Sequence, residues 1–150
     1  MGKTEEKVEV IRGTMLWQMA GAFYVRIQGM AKQHGIGLHE EFDEHDGGDT
    51  KYIVLLIENF PVATCRFYET SENVVTIGRV VVLPEYREHH LGEKVMQEAE
   101  SWIRELGYKE IIVDSRTVAV GFYEKLGYEK IGDEVYMSGV FECVKMHKIL

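Results

Sequence analysis

The chain has 150 residues, 45% of them hydrophobic, which is enough for one core and too little for two, so the sequence predicts a single domain over residues 1–150. Its formal net charge is −8 and its basic residues are scattered, which argues against a nucleic-acid backbone as partner. No apolar run is long enough for a membrane span or a signal peptide, so we expect no membrane partner and a cytoplasmic location.

The N-terminal third predicts a strand, a helix and a loop. Residues 7–11 have the composition of a strand, and Thr14 is a typical helix cap. Apolar residues then recur at helical spacing, namely Leu16, Trp17, Ala20, Phe23, Tyr24 and Ile27. Residues 35–50 are rich in glycine, histidine and acidic residues, which indicates a loop.

Three segments rich in β-branched residues follow, at 51–58, 61–69 and 73–83, and predict an antiparallel meander. Cys65 lies in the second of these strands, and Cys143 lies in another apolar run near the C-terminus. This placement is typical of buried, reduced thiols and not of a disulfide framework.

The second half of the chain begins with an amphipathic helix that starts near Leu91 and ends at Gly107. A short buried strand at 110–115, a helix at 118–126 and two strands at 129–136 and 141–149 complete the chain. Because a helix crosses over between two strands, this order predicts a mixed α/β (α+β) domain with one parallel strand pair.

Residues 80–93 run from a strand through a loop directly into the helix. The unpaired amides and positive dipole end of a helix N-terminus can hold a phosphate or pyrophosphate. Gly92 would permit close approach of such a ligand, and Arg87 would add a guanidinium. Strand–loop–helix junctions with a glycine are common, so the pattern alone is also compatible with a purely structural loop.

Two segments resemble the central signatures of the GNAT acetyltransferases. They comprise Val82, Leu83, Pro84, Glu85, Tyr86, Arg87 and Gly92, then Ala119, Phe122, Tyr123, Glu124, Lys125, Leu126, Gly127 and Tyr128. Arg87 and Gly92 match the ends of the family's Q/R-x-x-G-x-G/A loop, whereas His90 replaces its first glycine. The chain also resembles a small bacterial acetyl-CoA-dependent branch of this family, at Arg26, Gly35, Ile36, Glu41, Phe42, Asp43, Glu44, Asp46, Arg66, Gly78 and Arg79.

The resemblance implies the GNAT fold, with a central mixed, mostly antiparallel sheet of about six to seven strands, a splayed parallel pair and about four flanking helices. It also implies transfer of the acetyl group of acetyl-CoA to a primary amine by direct attack in a ternary complex, and often a homodimer. The residues implied to bind acetyl-CoA are Val80, Val81, Val82, Arg87, Glu88, His89, His90, Leu91, Gly92, Glu93, Arg116 and Tyr123. Arg116 stands where many relatives have asparagine, which makes it a candidate for a CoA phosphate.

Tyr123 occupies the position of the family's usual general acid. A phenol with a pKa near 10 can protonate a departing thiolate. The alternative is that Tyr123 only packs beside Phe122 on its helix.

No carboxylate lies on the third meander strand where some relatives carry a general base. Glu41, Asp43 and Glu69 are therefore candidates that would act through a water.

For residues 39–46 we favour a solvated acidic loop over a metal site, because the EF-hand and H-E-x-x-H spacings are absent, and substrate recognition is a third option. We expect no metal cofactor. The rival from another class is a GNAT-fold module that binds acyl-CoA or a protein without turnover.

Overall fold

The computed structural model describes residues 7–150. Their strands are β1 (Val8–Gly13), β2 (Lys51–Ile57), β3 (Phe60–Ser71), β4 (Val74–Val82), β5 (Glu110–Arg116), β6 (Glu129–Ser138) and β7 (Phe141–Ile149). They form one sheet in the order β1-β2-β3-β4-β5-β7-β6. Only β4 and β5 pair in parallel, and the other neighbours are antiparallel. The predicted mixed, mostly antiparallel sheet with one parallel pair is confirmed.

The helices are α1 (Leu16–Arg26), α2 (Lys32–His34), α3 (Leu38–Glu41), α4 (Leu91–Glu105) and α5 (Val120–Lys125). A π-helical turn, Ile27–Ala31, joins α1 to α2, so these helices make four continuous segments. Within residues 7–150, no helix has both the length and the apolar sequence needed to cross a membrane.

Two local predictions for residues 14–50 are wrong. The N-cap residue of α1 is Met15 and not Thr14, and Gln18 in the first turn accepts the amides of Thr14 and Met15 with its side-chain oxygen. The predicted loop at 35–50 contains α3, which starts anew after Gly35 has ended α2 with a left-handed φ of 66°.

The helices cover opposite faces of the sheet. The apolar side of α4 packs on Ile53, Leu55, Cys65 and Phe67, within the larger core, which also contains Tyr123 of α5. Ala22 of α1 packs instead with Tyr52, Val54 and Leu56. Because neighbouring strand residues point to opposite faces, α4 and α5 lie on one face and α1 lies on the other. Cys65 and Cys143 are free and buried, as the sequence indicates.

Strand β4 separates from β5 halfway along its length. The parallel pairing ends where Ile77 meets Val113. On the other side of β4, Gly78 pairs with Arg66 and Val81 with Thr64, so Arg79 and Val80 oppose a single residue of β3. This is a β-bulge, and Arg79 has a left-handed φ of 50°. Since a bulge bends its strand, it accounts for the gap between the C-terminal halves of β4 and β5.

Gly29 of the π-helical turn lies directly against β4. A Cβ at this position would be 2.7 Å from Cγ1 of Val81, closer than real contacts allow. We therefore expect Gly29→Ala to lower the free energy of unfolding by about 1–3 kcal/mol in a urea titration. Gly121→Ala in α5 is the matched control, because its Cβ would meet no atom within 4 Å and alanine favours the helix. Equal losses in the two variants would contradict the close packing of Gly29.

Candidate active site

A cavity of about 440 Å³ lies at the gap between β4 and β5. Its walls include Gly78, Arg79 and Val80 of β4, Asp114 and Arg116 of β5, and Phe141 of β7. Tyr123 contributes from the α5 face, whereas Met30, Ile36 and Glu40 contribute from the α1 face. The gap therefore connects the two faces of the sheet, so that two molecules approaching from opposite sides could meet there.

Free main-chain amides surround the N-terminus of α4. The first amide bonded within this helix is that of Lys94, which donates to the His90 carbonyl at 3.2 Å. The six amides of residues 88–93 donate to no acceptor in the described part of the chain. The amide of Arg87 differs from the prediction, because it donates to the Pro84 carbonyl at 3.3 Å. Six donors and the positive end of a 15-residue helix can together hold an anion.

The loop before α4 is held by Arg87 and contains two unusual backbone conformations. The guanidinium of Arg87 donates to the carbonyls of Val82, at 3.0 Å, and Gly29, at 3.2 Å. Arg87 thus shapes the loop, in addition to any contact it makes with a ligand. Glu88 and His90 have left-handed φ values of 68° and 61°. His90 therefore adopts the conformation that the glycine of the family motif would adopt without strain.

The last residues of β4 direct their main-chain groups to alternate sides. The amide of Leu83 donates to the Val62 carbonyl of the preceding strand. The main-chain groups of successive strand residues point to alternate sides. Since those of Leu83 point to β3, those of Val81 also point to β3, at Thr64, and those of Val80 and Val82 point to the gap. The structure therefore does not support Val81 as a main-chain ligand, and the Val82 carbonyl already accepts Arg87.

Tyr123 is 9% exposed and lines the cavity. Its ring meets Phe122 and Tyr128 edge to face, with centroids 5.0 and 5.8 Å apart. Its hydroxyl forms no hydrogen bond with any of residues 7–150. Burial raises the pKa of Tyr123 above its usual value near 10, and the neighbouring Cys65 and Cys143 add to the rise. The phenol is therefore protonated at neutral pH.

The acidic segment belongs to a largely buried ion-pair network, which we define as Arg26, Arg66, Arg79, Glu41, Asp43 and Asp46. Arg26 pairs with Glu41 at 3.0 Å and with Asp46 at 2.7 Å. Arg66 pairs with Asp43 at 2.8 Å and with Asp46 at 2.9 Å. Arg79 completes the network with contacts to Glu41 at 2.9 Å and Asp43 at 3.3 Å. For these acidic residues, the interpretation as a solvated loop is wrong.

The three candidates for the general base do not suit that role. Glu41 and Asp43 line the cavity, but each is paired with two arginines. Burial alone would raise the pKa of Asp43, but the hydrogen bond and charge of Arg66 outweigh burial and lower it. Glu69 lies outside the cavity wall and accepts a hydrogen bond from Tyr108 at 2.9 Å. Among the described residues, no group of three or more His, Cys, Asp or Glu is arranged to hold a metal ion.

Asp114 lines the cavity, although no sequence motif indicated it. Its Oδ1 accepts the hydroxyl of Tyr136 and the ammonium of Lys145, the latter at 2.9 Å. Its Oδ2 accepts no hydrogen bond within the described ranges. Its position in the sequence could have identified Asp114 as a site residue. It is a polar residue that directly follows the buried part of a parallel strand, and ligands collect at the carboxyl ends of parallel strands.

Arg116 also lines the cavity. Its guanidinium carbon lies 4.2 Å from the ring centre of Phe141. The guanidinium forms neither a hydrogen bond nor an ion pair with the chain described here.

The comparisons with known proteins agree with the fold. The acetyltransferase (GNAT) family model matches residues 14–128. A Bacillus subtilis (strain 168) protein named as a candidate acetyltransferase is 31% identical over 121 residues, which cover 79% of this chain and 82% of the relative. A crystal structure of a candidate N-acetyltransferase from Lactobacillus plantarum superposes with a TM-score of 0.88 at 28% identity, covering 95% of this chain and 98% of that one.

An acyl-CoA N-acyltransferase from Pseudomonas aeruginosa has a TM-score of 0.81 at 19% identity, with 96% and 99% of the two chains covered, and supports the fold alone. The class defined by these matches is that of the acetyltransferases. The chain belongs to the GNAT family.

Proposed function

We propose that this protein is an N-acetyltransferase, which passes the acetyl group of acetyl-CoA to a primary amine by direct attack in a ternary complex. The observation that carries the proposal is the set of six unpaired amides at residues 88–93, beside a gap in the sheet that Tyr123 lines. Acetyl-CoA supplies the acetyl group and a thiol leaving group.

The residues around the gap fit acetyl-CoA. The amides of residues 88–93 and the dipole of α4 would hold its pyrophosphate, and Gly92 adds no side chain in the way. The main chain of Val80, which points to the gap, would bind the amides of the pantetheine arm. The carbonyl and amide of Val80 have no hydrogen-bond partner on β5, so they need a ligand such as the pantetheine arm, or water, to bond to.

Tyr123 would act as the general acid. As the acceptor nitrogen forms its bond to the acetyl carbon, the carbon–sulfur bond breaks and the hydroxyl proton of Tyr123 passes to sulfur. The raised pKa of Tyr123 keeps that proton in place at neutral pH, and its unbonded hydroxyl has no competing partner in residues 7–150.

The experiment is a measurement of acetyl-CoA consumption with a panel of polyamines, amino acids and lysine peptides. We expect turnover with at least one class of amine. Binding of CoA without turnover across the panel would instead support a non-catalytic GNAT-fold module for acyl-CoA or a protein partner.

The amide site can be tested at Gly92. We expect Gly92→Glu to weaken acetyl-CoA binding by about tenfold or more in calorimetry, because it places a negative charge beside the pyrophosphate. An acidic residue at a helix N-terminus does not destabilise the helix. Gly92→Ala is the matched control, because a Cβ there meets the ring of Phe122 at 3.3 Å without adding charge. Unchanged affinity in Gly92→Glu would remove this helix end from the binding site.

A further inference from the structure

Asp114 and Arg116 present opposite charges on one face of β5. They alternate with Val113 and Ser115, of which Val113 lies in the core beneath α4 and α5. Asp114 and Arg116 therefore point to the α1 face, about 6–7 Å apart along the strand. Both line the cavity.

One oxygen of the Asp114 carboxylate is available to a ligand. Lys145 and Tyr136 both bind Oδ1, which holds the carboxylate in place and leaves Oδ2 without a partner in the described chain. An ionised carboxylate has about four acceptor positions, so Oδ2 can accept hydrogen bonds from an ammonium group.

Arg116 has five N–H donors without a protein partner among residues 7–150. The ring of Phe141 supports its guanidinium. Arg79, the other cation of the cavity wall, is already paired with Glu41 and Asp43. A guanidinium binds a carboxylate through two parallel hydrogen bonds, which makes Arg116 an anion site.

The face of the sheet indicates which anion Arg116 binds. The free amides of residues 88–93 lie in the loop before α4 and in its first turn, and α4 packs on the face opposite Arg116. His34, at the end of α2, meets Phe141 edge to face at 4.9 Å, so the α1–α2 segment reaches the side of the cavity that holds Arg116. This placement favours an acceptor group for Arg116 over a CoA phosphate.

We propose that the acceptor is an amino-carboxylate, whose amine is bound by Asp114 and whose carboxylate is bound by Arg116. The proposal rests on the proposed acetyl transfer. An amino acid, or another small molecule with an amine and a carboxylate, has the two charges that this wall complements.

The reaction balances with these groups. The ammonium gives one proton to Asp114, the neutral amine attacks the acetyl carbon, and the carbon–sulfur bond breaks as Tyr123 protonates sulfur. The second proton lost by nitrogen restores Tyr123 through solvent, and Asp114 releases its proton to solvent. Asp114 takes up the first proton at Oδ2, and its carboxylate has one cationic partner, Lys145, whereas Glu41 and Asp43 are each paired with two arginines.

The test compares free amino acids with the corresponding amino acid amides, which keep the amine and lack the carboxylate. With the wild-type protein we expect kcat/KM to be about tenfold or more higher for the acids. Arg116→Gln should raise KM for the acids about 10- to 100-fold and leave KM for the amides and for acetyl-CoA unchanged. Arg104→Gln, an exposed position on α4, is the matched control and should change neither.

Asp114→Asn should lower kcat/KM about 10- to 1,000-fold for acids and amides alike, with unchanged binding of acetyl-CoA. Asp133→Asn, at an exposed position on β6, is its control.

The two parts of the proposed site and the proposed acetyl transfer can each be overturned separately. Equal use of acids and amides, or a rise of only the acetyl-CoA KM in Arg116→Gln, would refute the amino-carboxylate site while leaving acetyl transfer intact. A wild-type rate in Asp114→Asn would refute the role of Asp114. If no amine is acetylated but amino acids bind the CoA-saturated protein in calorimetry, and Arg116→Gln abolishes that binding, the site stands and the acetyl transfer is wrong.

Discussion

Replacing Arg26 with methionine is expected to lower the free energy of unfolding by about 3–5 kcal/mol. Arg26 is 1% exposed and binds Glu41 and Asp46, as well as the main-chain carbonyl of Glu41. Its removal would leave two largely buried carboxylates with one arginine each. The measurement is a urea titration at pH 7, analysed for the midpoint and slope.

The pH dependence of this loss has a defined sign. Burial alone would raise the pKa of Asp46, but the hydrogen bonds and charge of Arg26, together with the charge of Arg66, lower it instead. A carboxylate with a lowered pKa stabilises the fold above the pKa of the unfolded chain, near 4, and this contribution is lost as the pH falls further. The difference between wild type and Arg26→Met should therefore shrink below pH 4.

Arg12→Met is the matched control. Arg12 also binds two carboxylates, those of Glu98 and Glu105 at 2.7 Å, but its side chain is 30% exposed. Because water screens such pairs, we expect a loss of about 1 kcal/mol or less. If Arg12→Met cost as much as Arg26→Met, burial would not be the source of the effect.

Replacing Tyr123 with phenylalanine is expected to lower kcat about 10- to 1,000-fold, with little change in acetyl-CoA affinity. The hydroxyl bonds to nothing in residues 7–150, so its removal leaves no protein group unpaired and the free energy of unfolding should change little. The measurements are steady-state kinetics and calorimetry. Because burial raises the pKa of Tyr123 above 10, its ionisation should cause no fall in kcat up to pH 10.

Tyr128→Phe is the control for this variant. Tyr128 is also buried and contacts the Tyr123 ring, but its hydroxyl donates to Glu100 at 2.7 Å and it lies outside the cavity wall. We expect this change to reduce stability by about 0.5–1.5 kcal/mol and to leave kcat unchanged. A wild-type kcat in Tyr123→Phe would assign the proton donor elsewhere.

Much of the fold follows from local sequence patterns. The apolar residues of α4 recur at helical spacing, and Leu91, Val95, Met96, Ala99 and Ile103 are the ones that the structure buries. Gly107 and Gly127 follow their helices with left-handed φ values of 89° and 95°, as helix-ending glycines do. The parallel pair was also predictable, because a helix between two strands returns the chain in the same direction.

Local sequence motifs likewise predict one part of the candidate site and do not predict the other. The loop at 87–93 and Tyr123 were predicted from contiguous motifs, whose residues lie within a few positions of one another. The partners of Glu41 could not be found in this way, because Arg26 and Arg79 come from a helix and a strand distant in sequence. Charge and composition do not reveal which acidic residue pairs with which arginine. The sequence therefore indicated a solvated loop for residues 39–46.

The sequence by itself determined the succession of strands and helices along the chain, the face that α4 buries and the family motifs, because each depends on the periodicity or chemistry of neighbouring residues. Tertiary structure alone decided which groups surround the cavity. The bulge at Arg79 opens β4 from β5, and that opening places Asp114, Arg116 and Tyr123 along one cavity. These contacts depend on how separate strands and helices pack in space, and no local pattern encodes that packing.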